Sequence, residues 1–444
     1  MSSKPTASVF DLNGVPKFSQ ALPLALQHVV AMIVGCVTPA IIISGVAQIS
    51  ESDKILLIQA SLVVAAIATL LQLFPIKIGN FKLGSALPVI MGVSFAYVPS
   101  MQAIAETYGI PGILGAQIVG GVVAILVGCM IFKIRKFFPP LITGTVVFSI
   151  GLSLYPTAIN YMAGGTSSPT YGSWQNWLVA IITLAAVTIL NHCTKGFLKL
   201  ASILIGMAIG YVVSIFFHMV DFSSIGTAGL VQFPQVLHFG IVFEPSACIA
   251  LGLLFAINSV QAIGDFTATT TGAMGREPET KELQGAIVCY GISNMLGALL
   301  GCLPTATYSQ NVGIVTTTKV INRMILGLAA LIILAAGLLP KFSALLTTIP
   351  QCVLGGATVS VFASIAMTGI KLVMTEEMNF RNTSIVGLAV ALGMGISQAS
   401  ASLATFPSWV TMIFGKSPVV IATVVAIFLN LTLPKAAAAE KKRT

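Results

Sequence analysis

Two side chains of this sequence that can hold a proton lie inside strongly apolar stretches. Asp265 is the only carboxylate well inside such a stretch, and Gln261 precedes it by four residues, so both would share one helix face. A charge buried in hydrocarbon is costly and indicates a function by default. The alternative is that Asp265 only pins its helix to a neighbouring backbone. His28 lies in another apolar stretch, where it could equally be a packed core residue.

The strongest pair of amide side chains is Gln310 and Asn311. They lie in residues 303–319, LPTATYSQNVGIVTTTK, where hydroxyls, a Pro and a Gly interrupt apolar sequence. Backbone that leaves the helix at membrane depth is tolerated only where it is buried in protein or lines a cavity. An amide both donates and accepts, so one side chain can clamp adjacent N–H and C=O groups of a flat heterocycle. The alternative is that both amides only hold helices together.

The composition places the chain in a lipid bilayer. Of its 444 residues, 56% are hydrophobic and only 8% are charged, with a mean hydropathy of +0.97, whereas a soluble domain carries about 25% charged residues. The net charge of +9 comes from basic residues in short loops, so it indicates membrane topology and no nucleic-acid partner. Seven cysteines lack metal-ligand spacing, and we expect no metal site and no cofactor.

Fourteen apolar runs predict fourteen transmembrane segments, each needing about 20 residues to cross the bilayer. They lie near residues 22–46, 54–74, 83–102, 110–132, 137–156, 174–192, 197–219, 246–272, 283–302, 304–318, 323–340, 349–373, 382–402 and 417–434. With both termini in the cytoplasm, only Lys54, Lys341 and Lys416 of the 22 basic residues lie outside, as the positive-inside rule requires. The sequence therefore predicts an all-α polytopic protein of the cytoplasmic membrane.

Fourteen segments divide into two sets of seven. Because seven is odd, the second set must enter the membrane in the opposite sense, which is an inverted repeat. Segments 3 and 10 correspond in this 7+7 scheme, and both are interrupted, by Pro88 and Gly92 in one and by Pro304 and Gly313 in the other. We expect two half-helices with short extended stretches there, whose free N–H groups face a shared cavity.

The residues QNVGIVTTTK, 310–319, carry a specific resemblance. They match every specified position of a signature that runs Gln, Glu or Pro, then Asn-x-Gly, four further residues, Thr, and Arg, Lys or Gly. This signature is typical of the nucleobase–ascorbate transporter family, also called nucleobase:cation symporter-2. Residues near His28, Ser94 and Asp265 also resemble family landmarks, and the similarity spans about residues 15–434.

The resemblance implies a division into a core domain, helices 1–4 and 8–11, and a gate domain, helices 5–7 and 12–14. It also implies a homodimer with elevator-like alternating access. The corresponding boundaries are 1–133 and 244–345 for the core domain, 134–243 and 346–434 for the gate domain, and 435–444 for a cytoplasmic tail.

In the family, Gln at the first signature position accompanies purines such as xanthine and uric acid, as in the xanthine/uric acid permease branch. The resemblance implies that Gln310 binds the base, that Asn311 holds the site's geometry, and that Phe95 stacks on the base or offers its backbone amide. The expected substrate-binding residues are Gln310, Gln261, Phe95, Ser309, Ser94 and Asn311.

Two positions depart from the family pattern. Gln261 stands where the family usually has Glu, and Tyr290 stands where purine-transporting relatives usually have Asp. An amide cannot take up and release a proton, so the family's proton symport is in question here. Asp265 with His28 would carry the coupling proton, or the coupling cation is sodium. A facilitator or exchanger of uracil or of a broad range of nucleobases is the alternative.

Three other classes fit the sequence less well. A sulfate-permease-like anion transporter would share the fold, but no basic residue lies at the interrupted segments. A channel would show a repeated pore-lining ring of charges or carbonyls, and the sequence has no such motif. An enzyme is not expected, because Asp265 has no nucleophile–base arrangement at recognisable spacing.

Overall fold

The structure is a computed structural model. It describes residues 8–79, 81–130, 139–166, 168–407 and 410–434. The predicted tail at 435–444 and the first predicted domain boundary, after residue 133, lie outside these ranges.

The described chain is mainly helical. Its first part comprises α1 (Phe18–Val46), α2 (Glu51–Leu73), β1 (Ile76–Ile78), β2 (Phe81–Leu83), β3 (Met91–Val93), a 3-10 turn (Phe95–Tyr97), α3 (Val98–Cys129), α4 (Pro140–Met162), α5 (Trp174–Cys193), α6 (Phe197–Leu200), α7 (Ser202–Phe216) and α8 (Ser223–Thr227). Its second part comprises α9 (Pro245–Thr269), a π turn (Thr270–Met274), α10 (Thr280–Leu299), β4 (Thr305–Thr307), α11 (Ser309–Thr318), α12 (Arg323–Gly337), α13 (Pro340–Thr347), α14 (Gln351–Val373), α15 (Phe380–Gln398), a 3-10 turn (Ser400–Leu403), a π turn (Thr411–Gly415) and α16 (Pro418–Thr432).

Eight helices in the described ranges are long and apolar enough to cross a membrane. They are α1, α2, α3 with its preceding turn, α4, α5, α9 with its π turn, α14 and α15. Helices α12 and α13, bent by 81° at a short break, would form a ninth span, and α7 and α16 are shorter apolar helices. The chain is therefore a polytopic membrane protein, while the fourteen segments and their inverted repeat stay a prediction.

The third predicted segment differs from a simple helix. Residues 84–90 are non-helical, β3 follows, and helix begins only at the turn that starts with Phe95. The interruption expected in this segment thus occupies its first half, where Gly84 (φ 112°) and Ala86 (φ 61°) adopt left-handed backbone conformations that a right-handed helix cannot contain. Helix α3 then continues into the fourth predicted segment and ends at Cys129, with a kink at Gly109 (φ 65°).

The extended stretches predicted for segments 3 and 10 are present. Strands β3 and β4 pair antiparallel, with Met91 opposite Thr307, Gly92 opposite Ala306 and Val93 opposite Thr305. Every residue of both strands is buried. Each strand leads into a helix, β3 through the 3-10 turn into α3 and β4 into α11. The two interrupted segments therefore meet through backbone hydrogen bonds inside the protein.

Helix α3 packs closely against α9 and α10. A Cβ on Gly120 would lie 2.2 Å from Cδ2 of Phe255 on α9, and a Cβ on Gly291 of α10 would lie 2.5 Å from the carbonyl oxygen of Gly121. Small residues of this kind let membrane helices approach at the backbone. Helices α3, α9 and α10 are consequently held together at backbone distance, and α9 and α10 also contact β4.

The chain divides into two compact units. The first comprises residues 1–130 and 157–360, and the second comprises residues 131–156 and 361–444. The first unit contains the β3–β4 pair and the helices that pack on it. The second has its own apolar cluster, which includes Leu141, Val373, Ile385 and Ala426. The predicted boundaries between core and gate domains stay a prediction.

Candidate functional site

The paired strands are anchored beyond their three residues each. The hydroxyl of Thr69 on α2 donates to the carbonyl oxygen of Met91 (3.2 Å) and accepts from its backbone N–H (3.0 Å). The N–H of Ser94 donates to the carbonyl oxygen of Pro304 at 3.0 Å. Buried backbone groups outside regular structure must find such partners, so α2 holds the position of β3 and β3 holds β4.

Tyr308, at the junction of β4 and α11, is packed into this crossing. Its hydroxyl donates to the carbonyl oxygen of Val93 at 2.6 Å and lies 3.3 Å from Sγ of Cys36 on α1. Its backbone N–H donates to the carbonyl oxygen of Ile90 at 3.0 Å. The ring lies directly against Gly92, which explains why a residue without a side chain stands there.

The substitution Gly92→Ala is expected to lower the free energy of unfolding by about 1–3 kcal/mol. The added Cβ would lie 2.7 Å from Cζ of Tyr308 and 2.8 Å from Sγ of Cys36. The apparent melting temperature in detergent measures the loss. Gly313→Ala is the matched control, since a Cβ there meets nothing within 4 Å and Ala favours helix over Gly by about 1 kcal/mol. Equal melting temperatures for the two variants would contradict the close approach.

Asp265 on α9 ties that helix to the start of α11. Its Oδ2 accepts a hydrogen bond from the hydroxyl of Thr307 at 2.5 Å, and its Oδ1 accepts one from the hydroxyl of Ser309 at 2.9 Å. Ser309 is the first residue of α11, so the carboxylate lies at a helix N-terminus, where the helix dipole favours negative charge. Both oxygens therefore contact the segment that begins with the predicted site residues.

His28 and Asn311 form a second contact with α11. The Asn311 side-chain amide donates to Nδ1 and to the carbonyl oxygen of His28, both at 3.1 Å. Both residues are buried. Among the described residues, the hydrogen-bond partner of the His28 side chain is Asn311 and not Asp265. Asn311 therefore joins α11 to α1, and its role in holding the site's geometry stays a prediction. The arrangement does not bring together the two groups expected to share a proton.

The remaining predicted binding residues lie around the same crossing. Gln310 is exposed at the start of α11, and Gln261 is half-buried one turn before Asp265 on α9. Phe95 is buried in the 3-10 turn after β3, and the hydroxyl of Ser94 caps this turn by accepting from the N–H of Ala96 at 3.2 Å. Gln310 thus presents an amide to open space from a segment that its buried neighbours hold in place.

One predicted helix break is wrong. Gly313 lies inside the continuous helix α11, on its exposed side. The interruption of segment 10 lies earlier, at residues 303–308, because Pro304 has no N–H to donate and the residues after it pair as strand β4. Pro88 and Gly92 do lie in non-helical backbone, as expected.

Three side chains that position the candidate site were not predicted. Thr69, Thr307 and Tyr308 hold the crossing and the Asp265 carboxylate, yet hydroxyls are common in membrane helices and carry no distinctive spacing. The signal that could have found two of them is their position immediately before the 310–319 run. In the described residues, no group of three or more His, Cys, Asp and Glu side chains could hold a metal ion.

Apolar helices packed with two broken segments that meet as paired strands define the fold of this membrane protein. The same fold occurs in the transmembrane domain of a cyanobacterial bicarbonate transporter, BicA, with a TM-score of 0.58 and 13% identity over 92% of this chain and 98% of that one. It also occurs in the murine anion transporter Slc26a9, in its inward-facing state, with a TM-score of 0.57 and 11% identity. The match covers 92% of this chain and 68% of that one.

The chain belongs to the Permease family, whose sequence model, Xan_ur_permease, matches residues 19–402. It is 33% identical to the uric acid permease PucK of Bacillus subtilis over 413 residues, which are 93% of this chain and 95% of the relative. It is 30% identical to the xanthine permease XanQ of Escherichia coli K12 over 442 residues, 96% of this chain and 94% of the relative. The resemblance predicted from the sequence is confirmed, and the chain is a permease rather than an enzyme.

Proposed function

We propose that the protein carries a purine nucleobase, xanthine or uric acid or a related compound, across the cytoplasmic membrane. The permeases for xanthine and uric acid that share about a third of its sequence support this substrate class. The observation that carries the proposal is the exposed amide of Gln310 at the first turn of α11. There it can donate to and accept from the edge of a flat base.

The geometry favours a flat ligand with polar edges over a small inorganic anion. No Lys or Arg occurs in residues 84–97 or 302–311, which include the crossing and its flanks. The ligand-facing groups are amides, hydroxyls and the N-terminus of α11, with Phe95 as an aromatic surface. A small anion such as sulfate would find partial positive charge at that helix end but also the Asp265 carboxylate beside it, which argues against the anion alternative.

The transport cycle that we propose is elevator-like alternating access in a homodimer with cytoplasmic termini. Uptake is coupled to a cation, with Asp265 as the group that responds to it. The carboxylate contacts Thr307 and Ser309 on both of its oxygens, so protonation would remove an acceptor from the N-terminus of α11. Coupling would then act directly on the helix that presents Gln310.

Competition for uptake tests the substrate class and the coupling together. Unlabelled xanthine and uric acid are expected to suppress uptake of radiolabelled xanthine in cells that express the protein, whereas uracil has little effect. If the coupling cation is a proton, a protonophore is expected to lower accumulation. If the coupling cation is sodium, removal of external sodium is expected to lower it. Equal competition by uracil would favour the broad nucleobase carrier, and accumulation that never exceeds the external concentration would favour a facilitator.

A further inference from the structure

Tyr290 and Asn294 project from the same face of α10, one turn apart. The hydroxyl of Tyr290 forms a short hydrogen bond with the hydroxyl of Tyr97, the last residue of the turn that contains Phe95. Both tyrosines are fully buried, and the ring of Phe255 on α9 packs against both, with centroids 4.9 Å from Tyr97 and 5.6 Å from Tyr290. The hydroxyl pair therefore joins α10 to the segment after β3 in a dry aromatic environment.

Asn294 makes the equivalent connection to the other strand. Its Oδ1 accepts from the N–H of Thr305 at 2.8 Å, and its Nδ2 donates to the carbonyl oxygen of Thr305 at 3.2 Å. The side chain thus pairs with β4 as a neighbouring strand would. The side-chain amide of Gln117 on α3 donates to the backbone carbonyl oxygen of Asn294 at 3.0 Å. This bond fixes the part of α10 that carries Asn294.

We propose that this face of α10 is the positioning element of the binding site. Tyr290 positions the turn that carries Phe95, and Asn294 positions β4 and hence the start of α11. The inference rests on the proposed function, since it concerns the same site. It also assigns a role to Tyr290: the hydroxyl pair holds the site by a hydrogen bond between neutral groups.

The physical argument is that the two crossing segments have few regular hydrogen bonds of their own. Strands β3 and β4 are three residues each, and a binding site must be held to within about 0.5 Å by a supporting layer of side chains. A buried hydroxyl that loses its partner costs more than the bond contributed, because it remains desolvated and unpaired. Loss of the Tyr97 hydroxyl should therefore leave that of Tyr290 unpaired, and loss of the Tyr290 hydroxyl leaves that of Tyr97 with Asn258 alone. Either change should displace the turn that contains Phe95.

A double-mutant cycle tests the pairing. Tyr290→Phe and Tyr97→Phe are each expected to raise the KM for xanthine uptake about fivefold to tenfold with little change in the maximal rate per transporter. The double variant is expected to be no worse than either single one, because it leaves no unpaired hydroxyl. If the two single effects multiply in the double variant, or if KM is unchanged in both, the positioning role is refuted.

Tyr211→Phe is the matched control. It removes a hydroxyl–hydroxyl contact of 2.6 Å with Thr348, away from the crossing, and is expected to leave KM within twofold of the wild type. If Tyr290→Phe does not reach the membrane, Tyr97→Phe removes the same bond from the other side and is measured in its place. Absence of purine uptake by the wild type would instead refute the proposed function, so the two failures are distinguishable.

Discussion

Asp265→Asn is expected to reduce purine transport roughly 100-fold. The Asp265 carboxylate accepts from Thr307 and Ser309, and hydrogen bonds to a charged group contribute about 1.5–3 kcal/mol each. An Asn side chain offers one oxygen in place of two and turns an N–H₂ group towards a hydroxyl. It also removes the negative charge from the N-terminus of α11. Initial rates of radiolabelled xanthine uptake, normalised to the amount of protein in the membrane, measure the loss.

Asp221→Asn is the control for Asp265. Asp221 is an exposed carboxylate that accepts from the N–H of Ser223 at 2.8 Å, and the loss of its charge should change uptake less than twofold. The role of Asp265 would be only structural if Asp265→Asn accumulated xanthine as the wild type does, with the same dependence on external pH. A pH dependence that disappears in Asp265→Asn but persists in Asp221→Asn would identify the coupling group.

Gln310→Ala is expected to abolish xanthine uptake, with a decrease of roughly 100-fold or more, while the protein still reaches the membrane. The Gln310 side chain is exposed, so its removal leaves no cavity and no unpaired buried group in the free protein. The substitution instead weakens the complex with the base, because polar groups of the base lose their partner. Each group left unpaired lowers the free energy of binding by about 1–3 kcal/mol. Uptake by cells and direct binding of xanthine to the purified protein measure this loss of affinity.

Thr317→Ala is the matched control for Gln310→Ala. Thr317 is also exposed and lies on the same helix, at an unspecified position of the signature-like run. Its replacement should leave uptake and binding close to those of the wild type. Uptake like that of the wild type in Gln310→Ala would remove the proposed binding site from α11, whatever the behaviour of Thr317→Ala.

The positions of the interruptions could be predicted from the sequence. Pro88 and Pro304 lack the N–H that a helix needs, and hydroxyls and glycines follow both, so the extended stretches were predictable as well. The break at Gly313 was predicted wrongly, because a helix interior tolerates a single Gly at a modest cost and only the structure shows which glycines adopt unusual backbone angles.

The partners of Asp265 could not be predicted. Thr307 and Ser309 lie 42 and 44 residues away along the chain, and no spacing rule connects residues on different helices. The contact of His28 with Asn311 spans 283 residues, and it could not be predicted for the same reason. Local periodicity indicates which face of a helix a side chain occupies, whereas the identity of the facing helix depends on packing through glycines such as Gly121 and Gly291.

The join between β3 and β4 has a consequence for how permeases of this kind can diverge. The bonds across it run between main-chain atoms, so they do not depend on the exposed side chains of α11. Exposed positions on α11, such as Gln310, can therefore change without dismantling the scaffold behind them. If the proposed role of Gln310 holds, we expect replacements at exposed positions of α11 to change which base is carried without loss of the fold.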